Sequence, residues 1–250
     1  VQVIVVANGC EDETAATARI ACPHAQVIEL GKASKVIAMN AGARHRRGRA
    51  LVCLNADIHL SAEALFALVS PLLKGRAEFA CGRMVPVLEK SSPIVRAFYR
   101  GWALNPYFDR GKAGGVIALS NDFAKRAFPL QAFVSDDEMI ARLADADRRA
   151  FVPNADFKVF APRTLGALIA IRKRSRRGTA ALERAGFATE RATNTGGFMH
   201  VLKRALMRPA RLPDVLAYGA VITFVRIALA FENELAPGTW ERDHSSRGHA

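Results

Sequence analysis

Along the first half of the chain, continuous apolar runs alternate with stretches whose apolar residues recur every three or four positions. Val3 to Val6 is a β-branched run closed by Asn8-Gly9, and Asp12 to Ala21 carries helix formers with Asp, Glu and Thr in its first turn. The alternation repeats. Gln26 to Leu30 predicts a strand, Ser34 to Arg47 a helix ending near Gly48, and Ala50 to Leu54 a strand running into Asn55-Ala56-Asp57. Ser61 to Lys74 then predicts a helix with Ser61 as its N-cap. Strands that are apolar on both faces belong to a sheet covered on both sides, so the expected fold is α/β with a mostly parallel central sheet.

Ala77 to Val87 predicts a further strand, interrupted at Gly82 and stopped at Pro86. Glu89 to Gly114 reads as irregular, with Tyr99, Trp102, Tyr107 and Phe108 clustered as core packing or, alternatively, as a stacking platform for a sugar. Gly114-Gly115 enters a strand through Leu119, Asn121 to Ala127 predicts a helix, and Ser135-Asp136-Asp137-Glu138 opens an amphipathic one through Leu143. Two short strands are expected at 150–153 and 157–160, and beyond Thr164 the pattern is helical and basic.

With 250 residues, half of them hydrophobic, the chain can bury a full core, which excludes a disordered segment or a disulfide miniprotein. Its formal charge is +13, and Lys158 to Arg211 holds thirteen basic residues against two acidic ones, Glu183 and Glu190. The basicity is therefore local, and it implies phosphate groups or an anionic membrane surface. Nucleic acid is not expected, because no nucleic-acid motif accompanies the charge. The four cysteines form no C-x-x-C pair and read as reduced thiols of a cytoplasmic protein. The opening apolar run is turned at Asn8-Gly9 before any signal-peptide pattern develops. Toward the C-terminus, Lys203, Arg204, Arg208 and Arg211 precede an apolar segment from Leu212 to Phe231. Its uncharged core, Val215 to Val225, is eleven residues and is followed by Arg226, so an interfacial or packed helix is expected and not a spanning one.

Candidate chemistry lies in the loops that follow strands, where doubly wound sheets bind ligands. Three such loops are polar: Asn8 to Thr14, Asn55-Ala56-Asp57 and Ser135-Asp136-Asp137. An acid after an apolar strand can hold a divalent cation that neutralises a diphosphate, and a second acid can act as a general base.

In kind and order these loops resemble those of the family 2 inverting glycosyltransferases, enzymes of the GT-A (nucleotide-diphospho-sugar transferase) fold. The resemblance runs from Val1 to about Gly178. The family's D-G-S-x-D-x-T-like loop matches Ala7 to Thr14, its K-x-x-A-L-N element matches Lys35 to Asn40, and its metal-binding D-x-D matches Asn55-Ala56-Asp57. Its glycine-entered acceptor-side strand matches Gly114-Gly115 onward, and its E-D or D-D pair matches Asp136-Asp137, six residues ahead of Arg142-Leu143.

The resemblance implies Asp136 as the base, with Asp137 as its alternate. It implies Asn8, Asp12, Lys35, Asn40, Asn55, Arg174 and Arg176 as donor contacts, Asp57 with Asn55 as ligands to Mg²⁺ or Mn²⁺, and Gly114 and Gly115 on the acceptor side. Its partners would be a nucleotide-diphospho-sugar donor and a glycan or lipid-linked acceptor, with the protein peripheral at the inner face of the cytoplasmic membrane.

The departures are equally specific. Ala7 stands where many members have an Asp, Asn55 replaces the first Asp of D-x-D, and no Q-x-x-R-W motif follows the Arg172 to Arg177 run, which favours single addition over polymerisation. The family's central first strand, with its P-x-x-N-E-like loop, does not precede Val1, so the chain is expected to begin one strand late. These departures also support an alternative, a non-catalytic GT-A-like binding or scaffold domain. The expected division is a transferase domain at 1–178, a basic and apolar helical extension at 179–235 and a polar tail at 236–250.

Overall fold

The structure, a computed structural model, describes residues 1–105, 108, 114–187 and 194–232. Tyr107, the 188–193 part of the helical extension and the 236–250 tail lie outside them.

β1 (Ile4–Asn8), α1 (Thr14–Ala21), β2 (Gln26–Leu30) and α2 (Lys35–Arg44) form the first unit, with β1 and β2 paired in parallel. The turn after β1 depends on Gly9, whose φ of +59° is left-handed and whose Cβ would stand 2.6 Å from Ala33 Cβ. β3 (Ala50–Leu54), β4 (Ile58–Leu60), β5 (Phe79–Val87), β6 (Val116–Ser120) and β7 (Arg149–Phe160) form a five-stranded sheet in the order β3-β6-β5-β7-β4. α3 (Ala62–Leu73) covers one face through Leu68 and Leu72, with Ser61 Oγ accepting from Ala64 N as the predicted N-cap. α5 (Asn121–Ala127) and α6 (Asp136–Leu143) cover the other through Phe123, Met139 and Ile140.

The expected α/β architecture is present, but the sheet is mixed. β3–β6, β5–β6 and β4–β7 are antiparallel, and β1–β2 and β5–β7 parallel. An apolar run records burial and carries no strand direction, which is why the mostly parallel expectation fails. Pro86 does not stop β5, which runs on to Val87 at the strand's far end. The two short strands expected at 150–153 and 157–160 are one strand, whose register against β5 shifts between Gly82 and Arg83. Among the described residues no ladder joins β1 to β3, and both border the same large cavity.

The stretch expected to be irregular contains α4 (Pro93–Trp102). Pro93 starts it, and Val95, Phe98, Tyr99 and Trp102 fall on one buried stripe. α7 (Leu165–Arg184), α8 (Asn194–Leu206) and α9 (Leu212–Phe231) follow the sheet. α9 packs on α4 through Val215, Tyr218, Val221 and Val225, forming a second core with Leu168 of α7 and Val201 and Ala205 of α8. Side chains such as Phe98, fully buried there, each contribute about 2–3 kcal/mol of apolar burial. The aromatic cluster is therefore core packing, although Tyr99 and Trp102 also reach the wall of the cavity. All four cysteines are free thiols.

Candidate active site

The polar loops converge on a cavity of about 3180 Å³. Asn8 and Asp12 after β1, Lys35 at the start of α2, and Asn55 and Asp57 between β3 and β4 all line it. So do Gly114 and Gly115 before β6, Asp136 and Asp137 at the start of α6, and Arg174 and Arg176 of α7. Asn40 stands apart. Its Nδ2 donates to the Leu130 carbonyl at 3.0 Å and its Oδ1 accepts from Leu130 N at 2.7 Å, so its amide ties α2 to the chain that follows α5.

At the centre, Lys35 Nζ lies 2.7 Å from Asp136 Oδ2 and 3.5 Å from Asp137 Oδ1. Asn8 sets this lysine in place, because its Oδ1 accepts from the backbone N of Ser34, the N-cap of α2, at 2.9 Å. Asp136 opens α6 but makes no capping bond; it is 3% exposed and its carboxylate turns to Lys35. Burial pushes its carboxyl up to about 7, the Asp137 charge adds to the rise, and Lys35 opposes it. Burial also disfavours the Lys35 ammonium. Asp137 and Asp136 together outweigh that penalty and hold Lys35 above the ordinary lysine value. The 2.7 Å contact is an ion pair without the alignment of a hydrogen bond, so among the described residues Asp136 Oδ2 has no hydrogen-bond donor.

Asp137 is tied to the loop after β3. Gly115 N donates to Asp137 Oδ2 at 3.1 Å, and Asn55 N donates to the Gly115 carbonyl at 2.9 Å. Gly115 is required at this crossing, since its φ is +78° and a Cβ would stand 2.8 Å from Ile58 Cδ1. Asp57 is exposed and has no hydrogen bond or ion pair among the described residues, and Ser61, not Asp57, caps α3. His59 stacks edge-on against Phe160, with centroids 5.3 Å apart. Among the described residues no three His, Cys, Asp or Glu side chains converge on a metal position.

The basic run of α7 divides by helix face. Lys173 and Arg177, one turn apart, both pair with Glu232 just beyond α9, while the Arg172 guanidinium lies 4.5 Å from the Trp102 ring centroid. Arg174 and Arg176 remain on the cavity wall, and burial, with Arg226 adding to it, pushes Arg176 below the ordinary arginine value. Arg142 pairs with Glu138 and donates to the Phe187 carbonyl at 3.1 Å, so it braces α6 against the end of α7.

Cys53, Tyr218 and Ile222 are among the wall residues not expected from the sequence. Cys53 of β3 is neutral, since burial first and then Asp137 push its thiol up to about 12. Tyr218 and Ile222 reach the cavity from α9, a helix whose sequence carries no site motif.

A carboxylate pair locked to a lysine, a lone acid after a strand and two arginines of α7 thus line one cleft beside a mixed α/β sheet, an arrangement that suits group transfer from a diphosphate. The family model for glycosyl transferase family 2 matches residues 1–128, more than half of the chain, and the chain belongs to that family as a glycosyltransferase. Glucosyl-3-phosphoglycerate synthase from Mycobacterium tuberculosis, solved with Mn²⁺, uridine diphosphate and glucosyl-3-phosphoglycerate, is similar at 18% identity. The match covers 76% of this chain and 70% of that one, with a TM-score of 0.49. S. aureus TarS 1–349, solved with UDP, is similar at 12% identity over 95% of this chain and 85% of that one, with a TM-score of 0.49. No curated protein matches.

Proposed function

We propose that this glycosyltransferase transfers one sugar, with inversion, from a nucleotide-diphosphate donor to a hydroxyl of a glycan or lipid-linked acceptor, with Asp136 as the base. The observation that supports this most is the buried Asp136 carboxyl, raised to about 7 on the wall of the cavity, where it can gain and lose a proton near neutrality. The acceptor oxygen forms its bond to the anomeric carbon as the bond from that carbon to the diphosphate oxygen breaks. The acceptor proton passes to Asp136, and the nucleoside diphosphate leaves.

Lys35 holds Asp136 and Asp137 in place and keeps Asp136 from remaining protonated throughout the working range. Asp137, anchored on Gly115 N, fixes the first turn of α6. Arg174 and Arg176 face charge developing on the leaving group, where guanidinium groups are suited to bidentate phosphate contact.

A divalent cation fits the residues present. Asp57 is exposed and has no partner among the described residues, Asn55 lines the same cavity two positions earlier with a side-chain oxygen to offer, and magnesium-like ions need only one or two protein oxygens when a diphosphate supplies the others. When bound, such an ion neutralises the diphosphate leaving group.

The test is turnover of nucleotide-sugars across a donor panel, with Mg²⁺ or Mn²⁺. Release of nucleoside diphosphate that is lost in Asp136→Asn is expected. Release unaffected by that substitution, or none with any donor, rejects the reading.

A further inference from the structure

The helical extension carries a surface that the site does not use. One face of α9 is committed to the core through Val215, Tyr218, Val221 and Val225. The opposite face leaves Leu216 70%, Phe224 53%, Ile227 54% and Phe231 87% exposed. These positions recur at helical spacing, so they form one stripe along the whole helix, and Leu206 and Met207 at the end of α8 are exposed as well. Burial on the domain therefore covers one face of the helix and leaves the opposite apolar face outward.

Among the described residues the exposed charges around the stripe are mostly basic. Lys203, Arg208, Arg211 and Arg226 are exposed. Both carboxylates between 200 and 232 are paired with basic side chains. Asp214 is buried and pairs with Arg100 at 2.9 Å and Arg211 at 3.2 Å, and Glu232 pairs with Lys173 and Arg177. An apolar stripe alone would suit a second copy of the chain as well as a lipid. The cationic border decides between them, because pairing two copies would bring these cations together, whereas anionic headgroups neutralise them.

We propose that the outer face of α8 and α9 docks in the plane of an anionic lipid surface. The Pro209–Phe231 helix is long and apolar enough to cross a membrane, its most apolar 18-residue stretch having a mean hydropathy of 1.8. Crossing would strip Val215, Tyr218, Val221 and Val225 from Phe98 and Trp102 and take Asp214 from Arg100 into lipid. Lying flat keeps both and buries the stripe in the headgroup layer. Because Tyr218 and Ile222 line the cavity from the inner side of the same helix, docking sets one cavity wall against the lipid. That placement supplies a lipid-linked acceptor, a consequence that rests on the transferase reading; the docking does not.

The test uses the full chain in vesicle flotation, comparing neutral phosphatidylcholine with vesicles containing roughly a third phosphatidylglycerol, at low and high salt. Binding to the anionic vesicles that weakens with salt is expected. Lys203→Gln with Arg208→Gln should weaken it roughly thirty-fold, and Phe224→Ser with Ile227→Ser at least about tenfold. Both double variants should keep the wild-type urea midpoint and vesicle-free donor turnover, so failure to bind lipid is separable from unfolding and from failure of the transferase reading. Absent binding, equal binding to neutral vesicles, or a dimer in solution that Phe224→Ser abolishes would overturn the proposal.

Discussion

Lys35 Nζ stands 2.7 Å from Asp136 Oδ2, an ion pair between the first turn of α2 and the first turn of α6. Two helices from distant parts of the chain thus meet through their opening residues, one bringing a cation and the other a pair of adjacent acids. The pair fixes the protonation behaviour of the site, since Lys35 is the cation that opposes the rise in the Asp136 carboxyl.

The pH dependence of turnover follows. With the Asp136 carboxyl at about 7, the base is unprotonated above that value and protonated below it, so kcat/KM should fall on the acid side with a limb near pH 7. Lys35→Met removes the opposing charge, and the limb should move to higher pH. Asp136→Asn should lower kcat/KM by about 10²–10⁴-fold and flatten the limb. A limb that stays in place in Lys35→Met would break the link between the pair and catalysis.

Stability should carry the same signature. The Asp136 carboxyl has an ordinary value of 3.8 and is raised to about 7 by folding. Between these values the folded chain keeps a proton that the unfolded chain releases, so this contribution is complete below 3.8 and is lost as pH rises through about 7. Lys35, raised from 10.5, and Cys53, raised from 9.0 to about 12, do not titrate in that window. Urea midpoints at about pH 5 and about pH 8 should therefore differ more in the wild type than in Asp136→Asn.

Much of this site is legible in the sequence because its members sit in loops after apolar strands, and the loop order survives folding. What the sequence conceals is how those residues are spent. Lys35 and Asn40 belong to one motif on one helix, yet Lys35 points to the carboxylates and Asn40 to the backbone of Leu130. α4 was legible and missed: Val95, Phe98, Tyr99 and Trp102 have helical spacing, but the glycines and prolines on either side made the stretch read as irregular. Strand direction was not legible, since Val116 to Leu119 is equally apolar whichever way it runs. Tyr218 reaches the cavity only because α9 folds back on α4, a contact between residues more than a hundred positions apart.

Asp57 should separate metal-dependent from metal-independent donor binding. Its carboxylate is exposed and unpartnered among the described residues, so Asp57→Asn removes a charge without breaking a packing contact. Isothermal titration with a panel of nucleoside diphosphates should show binding strengthened by Mn²⁺ in the wild type. Asp57→Asn should lose most of that gain, about tenfold or more, and keep the metal-free affinity. Equal Mn²⁺ enhancement in both proteins would remove Asp57 from the metal role.

Gly178 tests whether α7 must approach α6 as closely as it does. A Cβ at Gly178 would fall 2.1 Å from Ser135 Oγ and 3.3 Å from Ser135 N, the residue ahead of Asp136, whereas a Cβ at Gly166 on the same helix meets nothing within 4 Å. Gly178→Ala should cost about 1–3 kcal/mol by overpacking and should also lower kcat, because relief of the clash moves the turn that carries Asp136. Gly166→Ala should stay within about 1 kcal/mol of the wild type on the stabilising side, since alanine gains helix propensity where space is open. Urea midpoints and turnover measured on both variants separate the contributions. Both glycines lie on one helix, so a difference between them arises from the contact with Ser135 and not from propensity; equal effects would mean that the close approach of α7 contributes nothing to holding the base in place.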